Sequence, residues 1–166
     1  MTLTQEEAHR LFEYKDGVLY RKIDRNNRFK AGSIAGHFVK STGYRAVEIG
    51  GISYPEHSIV FLMHYGFIPK IIDHINGKPT DNTIENLRQA TVTQNTWNAK
   101  ISTANTSGIK GVSFRKDRNV WIARLQAHAK SIYLGYFKSK EDAEEFLQLA
   151  RDMVHGDFAN HGFKGA

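Results

Sequence analysis

Three side chains near the middle of the sequence could together hydrolyse a phosphodiester bond. Asp73 and His74 are adjacent, and Asn95 follows in a segment with helical spacing. A neutral imidazole can take a proton from water near pH 7, so His74 is the candidate general base. A carboxylate and an amide oxygen suit Mg²⁺, a hard ion that keeps several waters and completes its shell with substrate phosphates. Asp73 and Asn95 are therefore the candidate metal ligands, with Mg²⁺ as the expected cofactor and Mn²⁺ as its substitute.

The local elements should bring these side chains together. A short apolar strand over 71–75 runs into Asn76-Gly77, a strong turn signal. Residues 91–100 have helical spacing, and we expect the face that carries Asn95 to point inward, toward the strand. The members of that face are Val92, Asn95, Thr96 and Ala99. Neighbouring strand residues point to opposite faces, so the adjacent Asp and His can reach one phosphate only where the strand bends or the phosphate crosses its edge.

The rest of the sequence alternates short strands with amphipathic helices, which is typical of an α+β protein. Thr4 and Glu7 form a capping box, Ser139 caps a second helix, and Gly156 marks its end. The expected elements are a helix from Thr4 that ends near Gly17, strands over 18–23 and 44–49, a helix over 56–65, strands over 112–115, 120–126 and 131–137, and a helix from 140 to 156.

The composition excludes several classes of protein. Charged residues make up 24% of the chain and apolar residues 40%, which is a globular composition and not a disordered one. No apolar run approaches the roughly 18 residues of a membrane span, and the N-terminus lacks the pattern of a secretory signal. Cysteine is absent, which rules out disulfides and cysteine-based zinc sites. We expect an intracellular, cytoplasmic protein without an organic cofactor.

Positive charge is concentrated in two segments. The net charge is +6, and the bases of residues 20–45 are opposed by Asp24 alone. The bases of residues 110–130 are opposed by Asp117 alone. Two such segments indicate two contact zones for a polyanion, most simply nucleic acid, although a solvated basic surface explains the charge equally well. The candidate DNA contacts of the first segment are Arg25, Arg28 and Lys30.

The region 53–100 resembles the HNH nucleases with the ββα-metal fold. It reads DHING, DN, IENLR and QN in the order found in phage and intron-associated homing endonucleases. A Pro-x-His pattern also fits, at Pro55 and His57, whereas Ser58 stands where that family often has arginine. His57 and His64 could share a helix face, but without a carboxylate at matching spacing we expect buried or hydrogen-bonded roles rather than metal binding.

The resemblance implies a role for each polar residue of the motif. Asp73 matches the aspartate that binds the metal, and His74 matches the general base. Asn86 matches the asparagine that braces the loop between the two strands. Asn95 stands where the family has a histidine or asparagine as the second metal ligand. Hydrolysis of double-stranded DNA would then leave 5′-phosphate and 3′-hydroxyl ends.

The region 105–158 resembles the AP2 DNA-binding domain. It reads TSGIKGVSF, WIAR and YLGYF at the three expected strands. Because alternate residues of a strand point to opposite faces of the sheet, one face carries apolar side chains that we expect the last helix to cover. We expect the other face, which also holds Ile122, to be open to solvent. In the AP2 family this sheet lies in the major groove, where arginine pairs with guanine or phosphate and glutamine with adenine. The matching positions are Lys110, Ser113, Arg115, Arg124, Gln126, Ser131 and Tyr133. The departures from the plant members, which leave the base preference open, are Ser113, Asp117 and Ser131.

These patterns predict an α+β fold with two parts. An HNH module with an N-terminal strand and helix region precedes an AP2-like three-stranded antiparallel sheet packed on one helix. The expected boundaries are a basic N-terminal region at 1–52, the nuclease module at 53–100, a linker at 101–108, the sheet domain at 109–158 and a tail at 159–166.

The predicted function is metal-dependent, homing-type cleavage of double-stranded DNA by an enzyme encoded in a phage or an intron. One alternative is a DNA-binding regulator that keeps the fold without the cleavage. Another is an HNH toxin that cuts RNA or nonspecific DNA, which a groove-reading sheet argues against. The sequence leaves the target site and the oligomeric state open.

Overall fold

A computed structural model describes residues 3–27, 29–127 and 130–162 of the chain. The chain divides into two compact units, Met1–Ala90 and Thr91–Ala166. The division lies just before the helix that carries Asn95, rather than in the linker expected at 101–108. Among the helices of the described ranges, none is both long and apolar enough to cross a membrane.

The first unit opens with helix α1 (Gln5–Leu11), which begins at the expected capping box of Thr4 and Glu7. The helix does not continue to Gly17. Instead β1 (Phe12–Lys15) pairs antiparallel with β2 (Val18–Arg21). The tight turn between them needs two residues with positive φ, 47° at Asp16 and 81° at Gly17. A side chain at Gly17 would collide with the backbone at Thr83, since an added Cβ would lie 2.9 Å from the Thr83 nitrogen.

A three-stranded antiparallel sheet and a buried helix complete the body of this unit. The sheet consists of β3 (His37–Val39), β4 (Tyr44–Ile49) and β5 (Ile52–Pro55), of which only β4 was expected. Helix α2 (Glu56–Tyr65) has the expected bounds. The core of this unit includes the buried side chains of Phe12, Leu19, Val47, Ile59, Val60, Phe61, Leu62 and Met63.

Glu56 fixes the start of α2 against the sheet. Its side chain is fully buried, and it accepts hydrogen bonds from the Arg45 Nε at 2.5 Å and from the Leu19 nitrogen at 3.3 Å. A buried charge needs such partners because removing it from water is costly. The contact orients the N-terminal turn of α2, which carries His57.

The first unit ends in a short hairpin. Strand β6 (Ile72–His74) pairs antiparallel with β7 (Leu87–Gln89), and a single 3-10 turn (Ile84–Asn86) precedes β7. Asp73 lies directly opposite Arg88 in the register, and His74 lies opposite Leu87.

The second unit contains α3 (Val92–Trp97), strands β8 (Val112–Arg115), β9 (Val120–Ala127) and β10 (Lys130–Phe137), and helix α4 (Lys140–His155). The strands form one antiparallel sheet with β9 in the centre. Ser139 caps α4 and Gly156 ends it, as expected. The strands and α4 follow the predicted bounds to within one residue. Their shared core comprises Ile109, Val112, Ala123, Leu125, Ala143 and Leu147.

A bulge in β10 changes which of its side chains share a face. Tyr133 lies opposite Arg124, but Gly135 lies opposite the next residue, Ala123, so Leu134 is the extra residue. Leu134 packs on the core, and Tyr136 joins the outer face opposite Ile122. The expectation that Ile122 is open to solvent is wrong, because its side chain is only 4% exposed.

Candidate active site and nucleic-acid interface

The Asp73 carboxylate is buried and ion-paired. It is 4% exposed, and its Oδ2 atom accepts hydrogen bonds from both the Nε and the Nη2 of Arg88, each at 2.8 Å. The two residues face each other across β6 and β7, which places the fork of the guanidinium at the carboxylate. The ion pair compensates the burial of both charges.

The His74 ring is suited to accept a proton. It is 5% exposed, and its Nε2 lies 3.1 Å from the Oδ1 of Asn82. This contact with the Asn82 amide fixes the orientation of the ring. Burial lowers the pKa of His74, against the opposing effects of the Asn82 hydrogen bond and the charges of Asp73 and Asp81. The ring is therefore neutral at pH 7.

Two aromatic side chains enclose His74. The His57 ring packs edge-on at 5.2 Å between centroids, and the Tyr44 ring lies at 5.8 Å. Burial, and then the neighbouring His74, lowers the pKa of His57 to about 4. The His57 Nδ1 is buried and has no hydrogen-bond partner among the described residues. His64 is exposed and donates from Nδ1 to the carbonyl of Val60 at 2.8 Å, the kind of role expected for it.

Asn86 closes the loop between β6 and β7. Its Oδ1 accepts from the Asn76 nitrogen at 2.9 Å, and its Nδ2 donates to the Asp81 carbonyl at 2.8 Å. The Asn76 side chain in turn donates to Asp81 at 2.6 Å. These bonds hold the loop after His74 from both sides, a bracing geometry of the kind that the resemblance implies for Asn86.

Asp73 and His74 follow ordinary strand geometry, without a bend that turns both to one side. The carboxylate faces Arg88, whereas the imidazole faces Asn82. A phosphate that contacts both would have to cross the edge of β6, the second arrangement considered above.

Asn95 lies on α3, in the second unit. The expectation that its face points inward is wrong, because Asn95 is exposed and Val92 is 64% exposed. The helix packs instead through its C-terminal end, where Trp97 is half-buried and Asn98 is 5% exposed. Since Asp73 belongs to the other unit, the pairing of Asp73 and Asn95 as metal ligands stays a prediction.

Comparison with known proteins identifies the region that holds these residues. A family model described as HNH endonuclease matches residues 54–97. Protein 3.8 of Escherichia phage T7 is 39% identical over 98 residues, which are 57% of this chain and 78% of that protein. The chain belongs to the HNH endonuclease family. No solved structure matches it.

The HNH domain offers oxygen donors, but no closed metal cage. No group of three or more His, Cys, Asp or Glu side chains that could hold a metal occurs in the described part of the chain. HNH nucleases generally depend on a divalent metal. A carboxylate can accept about four hydrogen bonds or metal contacts, and at Asp73 the Arg88 guanidinium uses two of these sites. The donors fit an ion such as Mg²⁺ that takes most of its ligands from water and substrate phosphate.

Most predicted DNA contacts of the sheet lie on one exposed face. Ser131 pairs with Gln126 and Tyr133 with Arg124 in the register, and same-face neighbours across strands lie close together. The exposed members are Ser113, Arg124, Gln126, Ser131 and Tyr133. Arg115 lies on the same face but is ion-paired with Asp117 at 2.9 Å.

Two side chains on this face were missed by the sequence analysis. Tyr136 lies 5.2 Å from Tyr133 between ring centroids, and the Arg118 guanidinium lies 5.8 Å from the centre of the Tyr136 ring. The bulge brings Tyr136 to this face, and Gly135 at its site is the only sequence signal. Near His74, the contacts of Asn82 and His57 were also missed. Asn82 stands in the DN motif, which was the available signal, whereas the His57 contact joins two separate elements.

Three other predicted DNA contacts are engaged within the protein, and one is outside the described residues. The Lys110 ammonium donates to the carbonyls of Trp97 at 2.6 Å and Ala99 at 2.5 Å, so we remove it from the DNA-contact set. Lys30 pairs with Asp24 at 2.9 Å. Arg25 donates to the Glu48 carbonyl at 3.0 Å while remaining exposed. Arg28 lies outside the described residues.

Proposed function

We propose that this chain is a divalent-metal-dependent, homing-type endonuclease that hydrolyses phosphodiester bonds in double-stranded DNA. The observation that carries the proposal is the His74 ring, which is neutral at pH 7, held by Asn82 and adjacent to the Asp73 carboxylate within the HNH match. A homing-type role draws support from the DHING to QN motif and from the exposed basic and aromatic face of the sheet.

His74 would act on the attacking water. The basic nitrogen of its neutral ring takes one proton, the water oxygen forms a bond to phosphorus, and the bond from phosphorus to the 3′ oxygen breaks. The products are a 5′-phosphate and, after protonation by water, a 3′-hydroxyl. Because little of the ring reaches the surface, it suits a base that acts on a single water. Asn82 and Asn86 keep the ring and its loop in place.

Asp73 and Asn95 would hold the metal. Bound Mg²⁺ supplies charge neutralisation at a nonbridging oxygen and at the leaving 3′ oxygen. Arg88 keeps the carboxylate oriented, and its charge weakens the attraction of Asp73 for a cation.

The sheet would dock the enzyme on its DNA. Arg124, Gln126 and Tyr133 present a cation, an amide and a ring on one face, and these groups can contact phosphates and base edges in a groove. This docking mode, like the resemblance to AP2 domains, is part of the proposal.

Cleavage of supercoiled plasmid by the parental protein and by His74→Ala tests the proposal. In Mg²⁺ we expect product from the parent, no product with EDTA, and a rate about 10²- to 10⁴-fold lower in the variant, the usual contribution of a general base. Gel shifts without metal should give equal DNA affinities, because His74 is buried. A variant that cuts at the parental rate would contradict the role of His74.

The second candidate function is a DNA-binding regulator that does not cleave. The ion pair between the Arg88 guanidinium and the Asp73 carboxylate favours it, because it engages one of the two proposed metal ligands. DNA binding with no product in Mg²⁺ or Mn²⁺ would support this reading. Sequencing the ends from a DNA library that is incubated with the protein in Mg²⁺ would distinguish site-specific cleavage from the nonspecific cleavage expected of a toxin.

A further inference from the structure

Helix α3 carries Asn95 but cannot hold its own position. It has six residues, and none of them is buried. Isolated helices shorter than about 12–15 residues are marginal in water. Thr91 and Gln94 cap its N-terminus, but this local capping does not fix the helix against the rest of the protein. Contacts from later in the chain must do so.

Lys110 holds the C-terminal end of α3. Its ammonium donates to the carbonyls of Trp97 at 2.6 Å and Ala99 at 2.5 Å. The last carbonyls of a helix lack intrahelical donors and carry partial negative charge, so a cation is favourable there. The buried Arg151 donates from Nη2 to the Lys110 carbonyl at 2.8 Å and thereby ties Lys110 to α4.

His155 holds the same end from a second side. Its ring stacks on the Trp97 indole with 4.1 Å between centroids and 7° between planes. The His155 Nε2 lies 2.7 Å from the carbonyl of Gln126 in β9, the central strand of the sheet. The stack therefore connects α3 to the sheet through a ring that is itself fixed.

Asn160 provides the third contact. Its Nδ2 donates to the Asn98 carbonyl at 2.6 Å and to the Asn98 Oδ1 at 3.1 Å. Both residues are buried, at 2% and 5% exposure. All three contacts meet α3 within the four residues that follow Asn95, and each comes from the region expected to bind DNA or from the segment after it.

We infer that Lys110, His155 and Asn160 are positioning residues for cleavage, because they fix α3 and with it Asn95. The inference rests on the proposed function, in which Asn95 is a metal ligand. The C-terminal region would then have two separable tasks. Its outer face binds DNA, and its inner contacts hold a helix of the nuclease.

Amide hydrogen exchange and single-turnover cleavage on the full chain test this inference. The variants are Trp97→Leu, which removes the stack, and Lys110→Met, which removes the donors but keeps the apolar stem. Lys110→Arg restores donors and serves as the rescue variant. Met153→Ala is the matched control, because Met153 lies on α4 in the same unit, is 88% exposed and makes none of the contacts described above.

We expect Trp97→Leu and Lys110→Met to raise the exchange rates of the α3 amides about tenfold or more, while β8, β9 and β10 exchange as in the parent. At saturating DNA, the cleavage rate should fall about 10- to 100-fold, the cost of a small misplacement, and more Mg²⁺ should be needed for half the maximal rate. The DNA affinity should stay within about twofold of the parent, because phosphate contacts on the outer face dominate that affinity. Met153→Ala should match the parent in exchange, cleavage rate and DNA affinity, and Lys110→Arg should recover most of the rate.

Unchanged α3 exchange in both variants would overturn the inference, and so would a rate loss that follows only from weaker DNA binding. If a variant loses protection throughout the sheet, the contacts hold up the whole unit and the inference also fails. A parental protein that does not cleave DNA in any divalent ion contradicts the proposed function instead. The exchange of α3 then still decides whether these contacts hold the helix.

Discussion

Two parts of the HNH domain hold their polar residues in opposite ways. In the β6–β7 hairpin, Asp73, His74 and Asn86 are all less than 10% exposed and bonded to neighbours within the first unit. In α3, Asn95 is exposed on a helix with no buried residue. The hairpin is thus a closed network that depends on itself, whereas α3 depends on residues from later in the chain.

This contrast separates stability from activity. Substitution of a hairpin residue should damage both, because a buried polar group leaves its former partners unsatisfied. Substitution of the exposed residue on α3 should affect activity alone.

Asn86→Ala should have the largest effect on folding. It leaves the Asn76 nitrogen and the Asp81 carbonyl without their partner, which costs about 2–4 kcal/mol in the free energy of unfolding. Urea unfolding followed by circular dichroism measures this loss. A loss below about 0.5 kcal/mol, the usual range of surface substitutions, would mean that the loop does not depend on the hydrogen bonds of Asn86.

Low pH should destabilise the folded protein, because His57 beside the hairpin resists protonation in the folded state. Its pKa is about 4 in the folded protein, so between the ordinary value of 6.5 and pH 4 the unfolded chain binds more protons than the folded one. Stability is therefore retained above pH 6.5 and decreases as the pH falls to 4, by up to about 3 kcal/mol.

The variant His57→Phe keeps a ring beside His74 but cannot be protonated. Urea unfolding at pH 7 and at pH 4.5 should show a smaller difference for the variant than for the parent. His74, whose pKa is also lowered by burial, remains as a second source of acid sensitivity. Equal differences in the two proteins would exclude His57 as a source.

Local sequence signals predicted the elements that depend on local chemistry. The caps at Thr4 and Ser139 and the stop at Gly156 all stand where helices begin or end. Strand β1 was missed because Phe12 and Tyr14 also fit the spacing of the preceding helix. Strand β5 was missed because its four residues, which end in proline, are too short a run to stand out as a strand.

The errors within the site have a different origin, since each depends on packing that local spacing does not show. Lys110 looks like a DNA contact in a basic segment, yet its ammonium caps α3. The bulge at Leu134 shifts the alternation of faces along β10, so that Tyr136 joins the outer face. Asn95 was assigned to an inward face from helical spacing alone, but spacing shows which residues share a face and not which face is covered.

The outer sheet face should show a moderate effect on binding and none on the nuclease network. If the Arg124 guanidinium contacts a base edge, Arg124→Ala should weaken DNA binding by about 1–3 kcal/mol and relax the base preference. If it contacts a phosphate, the substitution should reduce the slope of log affinity against log salt by about one. Gel shifts at several salt concentrations distinguish the two. Affinity, selectivity and slope all equal to those of the parent would exclude Arg124 from the interface.

Asn95→Ala should have the smallest effect on folding and still reduce cleavage. An exposed side chain on a helix without buried residues contributes within about 0.5 kcal/mol to the free energy of unfolding, and alanine is the better helix former. If Asn95 is a metal ligand, the variant should need more Mg²⁺ for cleavage while it melts like the parent and binds DNA with the same affinity. Cleavage at the parental rate and at the parental Mg²⁺ requirement would show that the exposed asparagine is not a ligand. The catalytic residues would then have to be sought in the hairpin alone.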